Sequence, residues 1–148
     1  MLDFSINLDS ITRHFDQIGA DAKAAIRPAA QAAAQVFYQA ILETVPVSGH
    51  AHWFTGTSYK STGQKYWFES GSLKNAIYQV YSKDNSNATQ ATYHIAWNHR
   101  KVPYGFMVTG GTKTAKANDF IATARKSVAT LAREAALATF AQKMGPVQ

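Results

Sequence analysis

Apolar residues recur at spacings of three and four near the start of the chain. Leu8, Ile11, Phe15 and Ile18 would share one side of a helix, which predicts a short amphipathic helix over residues 8–18. Gly19 is expected to end it, because glycine readily adopts the left-handed conformation found after helices.

A second, alanine-rich helix is predicted up to about Thr44, and Pro46 stops it. Pro28 stands either in the first turn of this helix or at a kink in a longer one, because proline has no amide hydrogen. Ten of the residues from 20 to 40 are alanine, which favours a helix and leaves it little bulk. The alanine face either packs inside the domain or meets a neighbouring subunit.

Two strands are predicted in the middle of the chain. Residues 76–81 are β-branched and aromatic, and apolar residues at positions 93, 95 and 97 alternate with small or polar neighbours. The polar residues 84–87 predict a turn between the two strands. Together these segments indicate an antiparallel hairpin.

Two further helices are predicted after the strands. Residues 103–108 suit a short helical turn ended by Gly110 and Gly111. The last helix is expected to run from a cap at Asn118 or Asp119 to about Met144, before a Gly-Pro pair. Its apolar seam is predicted to be Ile121, Ala124, Val128, Leu131, Ala135 and Ala138. The fold class is therefore α+β, an antiparallel β-sheet packed against long N- and C-terminal helices.

The segment 47–72 interrupts this regular pattern with glycine, serine, threonine, histidine and aromatic residues. A flexible linker would not carry Trp53, Phe54, Trp67 and Phe68. We expect an extended aromatic arm or hairpin, inserted into a single domain that covers residues 1–148. The four aromatic side chains are predicted assembly contacts that become buried against other subunits.

Positive charge is concentrated in one part of the chain. The net charge is +6, and residues 85–133 alone account for it with seven basic residues and one acid. Within this stretch Arg100, Lys101, Lys113 and Lys116 flank an aromatic turn. They are predicted to contact either a phosphate backbone or an acidic protein partner, unless they form a solvated basic face.

Catalytic and cofactor motifs are not evident. The chain has no cysteine, its acids are scattered, and the sequence around Ser70-Gly71-Ser72 lacks the elbow that activates a serine nucleophile. His50 and His52 have no carboxylate or thiolate close in sequence to complete a metal site. We expect no enzyme activity, no cofactor and no metal. No signal peptide or membrane span is recognisable, so we expect no membrane partner and folding in a reducing cytoplasm.

Four short motifs resemble one known family in their order and spacing. They are Pro46-Val47, the segment 70–77 around Gly71-Ser72-Leu73, the segment 104–112 (Tyr-Gly-Phe-Met-Val-Thr-Gly-Gly-Thr), and residues 118–121 at the start of the last helix. Over about residues 20–143 the chain resembles the tail-completion, or head–tail joining (neck), proteins of tailed bacteriophages. It departs from them in the long segment 48–69 and in Thr109, where an acid is common in the family.

The resemblance implies an α+β structural subunit without catalytic residues. Its implied place is the head–tail junction of a virion assembled in the host bacterial cytoplasm, where a homo-oligomeric ring would meet head-side connector or stopper proteins and tail terminator or tail tube proteins. Passing DNA is a further implied contact. Two alternatives stay open: another ring of the same junction, such as a tail terminator or head-closure protein, and a small basic DNA-binding module.

Overall fold

The protein has an α+β fold, as the sequence predicts. The structure is a computed structural model that describes residues 8–146, with side chains described from Thr12 onward. In chain order the elements are α1 (Leu8–Thr44), β1 (His52–Phe54), α2 (Tyr59–Thr62), β2 (Tyr66–Phe68), α3 (Ser72–Asn75), β3 (Ile77–Tyr81), β4 (Tyr93–Trp97), α4 (Gly105–Gly110) and α5 (Phe120–Met144). The side chains of Leu8 and Ile11 in the first predicted stripe lie outside the described part.

Helix α1 is continuous, so the predicted end at Gly19 is wrong and Pro28 lies inside the helix. A single glycine costs a helix only about 1 kcal/mol relative to alanine. An interior proline costs about 3 kcal/mol. The alanine-rich sequence that follows Gly19 and surrounds Pro28 favours the helix, and packing against α5 adds to this at Pro28.

Helices α1 and α5 pack side by side in opposite directions. The Thr44 hydroxyl, at the end of α1, lies 3.3 Å from the carbonyl oxygen of Phe120, at the start of α5. Small buried residues line both helices: Ala25, Ala29, Ala34 and Ala40 on α1, and Ala124 and Ala132 on α5. The buried part of the alanine face is therefore covered within the chain itself.

The predicted seam of α5 is correct at its start and wrong further along. Ala124 is buried and Val128 is half-buried, but Leu131 is 58% exposed. Ala132 is buried instead, because the 3.6-residue period carries the packed face from 124 and 128 to 132. Ala138 is also exposed. The small Ala132 allows a close approach to α1 that the larger leucine would prevent.

The strands form two separate antiparallel pairs, β1 with β2 and β3 with β4. The second pair is the predicted hairpin, and the first lies in the segment predicted as an arm or hairpin. In the second pair Ile77 lies opposite Trp97 and Tyr81 lies opposite Tyr93. The guanidinium of Arg27 on α1 stacks 4.0 Å from the centre of the Tyr81 ring and ties this pair to the helix.

One hydrophobic core joins the helices to the second sheet. It contains Ala40, Ile41, Val45, Leu73, Ala76, Ile77, Val102, Phe120 and Ala124. The predicted cap of the last helix is confirmed at Asp119, whose carboxylate accepts a hydrogen bond of 3.0 Å from the Ala122 amide. Gly145 ends the helix with a positive φ of 69°.

Candidate functional site

The segment 47–72, predicted as an extended aromatic arm or hairpin, folds into a hairpin. Strands β1 and β2 pair in antiparallel register, with Trp53 opposite Trp67. Between them the short helix α2 ends at Gly63, whose φ of 70° permits the turn into the returning strand. The hairpin is closed at its base, where the Ser70 hydroxyl donates a hydrogen bond of 2.5 Å to the Ser48 carbonyl.

One face of this hairpin packs against the body of the protein. The rings of His52, Phe54 and Phe68 surround Tyr104, with centroids 5.3, 5.8 and 4.8 Å from the Tyr104 ring. All four residues are partly buried. Phe54 and Phe68 therefore already have partners within the chain, and they fix the hairpin instead of leaving it as a free arm.

The burial of Tyr104 in this cluster has an electrostatic effect. Desolvation raises the pKa of its hydroxyl above the ordinary value of 10.0. Tyr104 therefore stays neutral at physiological pH. Its contribution is to pack the hairpin against the segment that precedes α4.

The opposite face of the hairpin carries two exposed tryptophans. Trp53 is 61% exposed and Trp67 is 49% exposed. Their rings contact each other edge-on at 5.1 Å, and the Trp67 indole donates a hydrogen bond of 2.6 Å to the Glu69 carboxylate. The pair is thus ordered within the chain but is not covered by it.

Arg100 and Lys101 lie beside the hairpin. Their amides donate to the Asn98 side-chain oxygen at 3.1 and 3.2 Å, which shapes the turn after β4. Together with hairpin residues they line an open cleft of about 400 Å³, here called the aromatic–basic cleft. Its lining includes Phe54, Tyr66, Trp67, Phe68, Arg100, Lys101 and Pro103.

The other two predicted basic residues lie in the loop 112–117. The loop is closed by hydrogen bonds from the Thr112 amide to the Ala115 carbonyl and from the Asn118 amide to the Val108 carbonyl, both of 2.8 Å. Lys113 and Lys116 are exposed. Lys116 borders a second cleft of about 460 Å³, here called the apolar cleft.

The apolar cleft lies where the end of α1, the hairpin and α4 meet. Apolar groups predominate in its lining, which includes Pro46, Val47, Phe54, Leu73, Tyr104, Met107, Val108 and Ala115. Ser48, His52, Ser72 and Lys116 contribute polar atoms to it. Phe54 lines both clefts, so the hairpin forms the wall between them.

The structure thus brings six of the eight predicted contact residues together at the hairpin and leaves the two loop lysines on another side of it. Trp67, Phe54 and Phe68 line the aromatic–basic cleft with Arg100 and Lys101, and Trp53 packs on Trp67. Sequence analysis missed Tyr104 and His52. Tyr104 stood in a quoted aromatic motif, but its partners are about 36 to 52 positions away in sequence, so no local pattern indicates the contact.

Groups suited to metal binding do not cluster in residues 8–146: no three His, Asp or Glu side chains are close enough to hold an ion. His52 belongs to the aromatic cluster, and His94 lies on β4 with its ring 3.5 Å from the Asn85 amide nitrogen. Over the same residues, the helices lack the apolar length that a bilayer crossing requires.

Comparison with known proteins identifies no relative. No protein-family model matches the chain, and neither a curated protein nor a solved structure matches it.

Proposed function

We propose that this protein is a non-enzymatic virion subunit of a tailed bacteriophage, a tail-completion or neck protein that joins the head connector to the tail. The family resemblance of four motifs supports the proposal, and so does the pair of exposed tryptophans on an ordered hairpin. Large aromatic side chains dominate the binding energy of protein interfaces. A protein that holds two of them in contact with solvent therefore has a surface prepared for a partner.

The observation that carries the proposal is the contrast between the two faces of the hairpin. Phe54 and Phe68 fix the hairpin to Tyr104, whereas Trp53 and Trp67 lie on the opposite face and stay 61% and 49% exposed. Little order has to be gained when a partner covers this face, because the hairpin is already held in place. A rigid aromatic face of this kind fits assembly into a ring or onto one.

The exposed basic residues supply the electrostatic part of the proposed contacts. Arg100 and Lys101 stand at the aromatic–basic cleft, and Lys113 and Lys116 stand on the loop 112–117. An acidic surface on a neighbouring ring, or DNA passing through the junction, would complement them. The proposed partners are head-side connector or stopper proteins and tail terminator or tail tube proteins.

Head–tail joining in vitro tests this function. Infected cells whose phage lacks this gene should contain DNA-filled heads and complete tails that stay separate. Purified protein added to the lysate should restore joined particles and plaques. Joined, infectious particles formed without the gene product would contradict the proposal.

A charge-reversed variant sharpens the same assay. Arg100→Glu with Lys101→Glu should fold normally, because both side chains are exposed, and should restore few joined particles. Arg125→Glu with Lys126→Glu is the matched control, since these neighbouring residues are exposed on α5 and do not line the aromatic–basic cleft. Equal loss in both variants would indicate that only net charge matters.

A small nucleic-acid-binding module is the second candidate, favoured by one observation. Tyr66 and Trp67 line the same cleft as Arg100 and Lys101, and aromatic rings beside cations are how single strands are held by stacking and phosphate contacts. Fluorescence titration with single-stranded and duplex DNA at several salt concentrations distinguishes it. Tight, salt-dependent binding that Trp67→Ala abolishes would favour this candidate over a purely structural subunit.

A further inference from the structure

Helix α1 extends beyond the helix that covers it. Helix α1 has 37 residues, whereas α5 has 25. The two helices are aligned at one end, where Thr44, the last residue of α1, contacts Phe120, the first residue of α5. At about 1.5 Å per residue, the first twelve residues of α1 therefore project roughly 18 Å past the end of α5. Burial agrees with this geometry, because Ala25 is the first buried residue among the α1 side chains described from Thr12 onward.

The projecting turns, residues 8–19, carry an apolar side chain that nothing in the described chain covers. Phe15 is 67% exposed, the most exposed of the large hydrophobic residues. Its ring contacts only the neighbouring His14 among the aromatic side chains described, edge-on at 6.5 Å. Ile18, one turn further, shares its side of the helix and is half-buried.

A complementary surface lies at the other end of the same helix. The apolar cleft begins at Pro46 and Val47, just after α1 ends, and it is open to solvent. Its volume of about 460 Å³ has room for a phenylalanine ring and part of a helical turn. Because α1 is about 55 Å long, the projecting turns of a chain are too far away to fill that chain's own cleft.

The two surfaces also carry opposite charge. Within the projecting turns, residues 8–19, the two aspartates Asp9 and Asp16 outnumber the single Arg13, so these turns have a formal net charge of −1. The apolar cleft is bordered by Lys116, and Lys113 lies on the same loop. Opposite charge around an apolar contact orients two partners and speeds their association.

We propose that the projecting turns of α1 dock, through Phe15, into the apolar cleft of a second copy of this chain. The contact is head-to-tail, because each copy offers the helix at one end and the cleft at the other. Repeated contacts of this type close into a ring if the rotation between copies allows it. This interface adds to the proposed function a specific contact between subunits of the ring. It rests on the proposed function only for the closing of the subunits into a ring.

Cross-linking tests the contact directly, because the chain has no cysteine of its own. Gly19→Cys marks the projecting turns, where an added side chain meets nothing within 4 Å. Ala115→Cys marks the rim of the cleft. A mixture of the two variants, treated with a short bis-maleimide, should give the mixed dimer in good yield. In the control, Leu137→Cys replaces Gly19→Cys. Leu137 is exposed on α5, and this mixture should give little mixed dimer.

Exposed substitutions test the contact by a second route. Phe15→Glu and Val47→Glu alter side chains that are mostly solvent-exposed, so both variants should fold. Each should weaken self-association about tenfold or more, the effect expected for an anchoring side chain. Leu131→Glu is the control: Leu131 is 58% exposed on α5, between the values for Val47 and Phe15, and this variant should self-associate like the wild-type protein. Mixed together, Phe15→Glu and Val47→Glu should form a one-to-one dimer, because one intact helix and one intact cleft remain.

Each outcome decides a different claim. If the mixed cross-link fails and Phe15→Glu self-associates as well as the wild-type protein, the proposed interface is wrong. Head–tail joining by the wild-type protein would still support the proposed function. If the mixed pair cross-links and native mass spectrometry shows oligomers of one defined size, both the interface and the ring are supported. Cross-linking that grows into open filaments supports the interface and counts against the ring.

Discussion

The indole ring of Trp97 lies directly against the backbone of Gly105, so closely that a β-carbon at position 105 would overlap the indole nitrogen and its neighbouring carbons. This contact joins the end of β4 to the start of α4. It places α4, and with it one wall of the apolar cleft, on the second sheet.

Gly105→Ala should therefore destabilise the protein by about 1–3 kcal/mol, the usual cost of inserting a methyl group into a packed site. Urea unfolding followed by far-UV circular dichroism measures the change. Gly110→Ala is the control in the same short helix, because its β-carbon would meet nothing within 4 Å. A Gly105→Ala variant as stable as the control would show that Trp97 can move aside at little cost.

The loop 112–117 depends on the backbone of Gly111, which has φ 76° and ψ 175°. Gly111→Ala should lower stability and open the loop, because a β-carbon would lie 2.7 Å from the Ala117 amide and the conformation itself disfavours other residues. Hydrogen exchange at the Thr112 and Asn118 amides reports on the loop directly.

Gly145→Ala separates strain from crowding in this experiment. Gly145 has nearly the same backbone angles, φ 69° and ψ 178°, but has nothing within 4 Å of the added carbon. The difference between the two variants isolates the contact with Ala117. Equal effects would assign the whole cost to backbone conformation.

The exposed tryptophan pair should matter more for assembly than for folding. Trp53→Ala with Trp67→Ala removes one edge-to-face contact between rings, worth about 0.5–1.5 kcal/mol, and one exposed hydrogen bond from Trp67 to Glu69. Thermal unfolding should therefore change little, whereas head–tail joining in the complemented lysate should fall sharply. Tyr78→Ala is the control, an exposed aromatic residue on β3. Normal joining by the double variant would remove the central support for the proposed function.

Tyr104 predicts how stability responds to alkali. Its pKa is raised by burial, so the unfolded chain releases the hydroxyl proton at a lower pH than the folded protein does. The free energy of unfolding should therefore fall as pH rises past about 10, and below that pH this contribution is fully present.

Tyr104→Phe should reduce this alkaline fall, because phenylalanine keeps the ring contacts with Phe54 and Phe68 and has no proton to lose. Melting temperatures at about pH 8 and about pH 11 give the comparison. If both proteins lose the same amount of stability over this range, the Tyr104 hydroxyl does not contribute to the pH dependence.

The predictable part of the fold was the part that local patterns determine. The strands near residues 77–81 and 93–97, the Asp119 cap and the end of the last helix all follow from spacing and capping rules. The continuity of α1 through Gly19 and Pro28 did not follow. Gly19 costs the helix only about 1 kcal/mol, and packing against a helix about a hundred residues away offsets the cost of Pro28. Leu131 was misplaced for a related reason: size and spacing favoured it, whereas close helix contact selects Ala132.

The candidate site was predictable as residue types and not as an arrangement. Exposed aromatic and basic residues were identified from composition, but their grouping depends on the hairpin register and on Tyr104, which is distant in sequence. The sequence also did not show that some aromatic residues fix the hairpin to the body while others stay exposed. Trp53 and Phe54 are adjacent in the chain and point to opposite faces only because they lie in a strand.

The pairing of α1 with α5 sets the order in which the molecule can be completed during its synthesis. Helix α1 is made about a hundred residues before its partner, which consists of residues 120–144, is complete. At about 5–20 residues per second, a nascent α1 waits roughly 5–20 seconds before it can be covered. Such long-range closure is slow relative to local folding. Truncated or stalled chains that lack α5 should therefore be prime targets for chaperones and proteases.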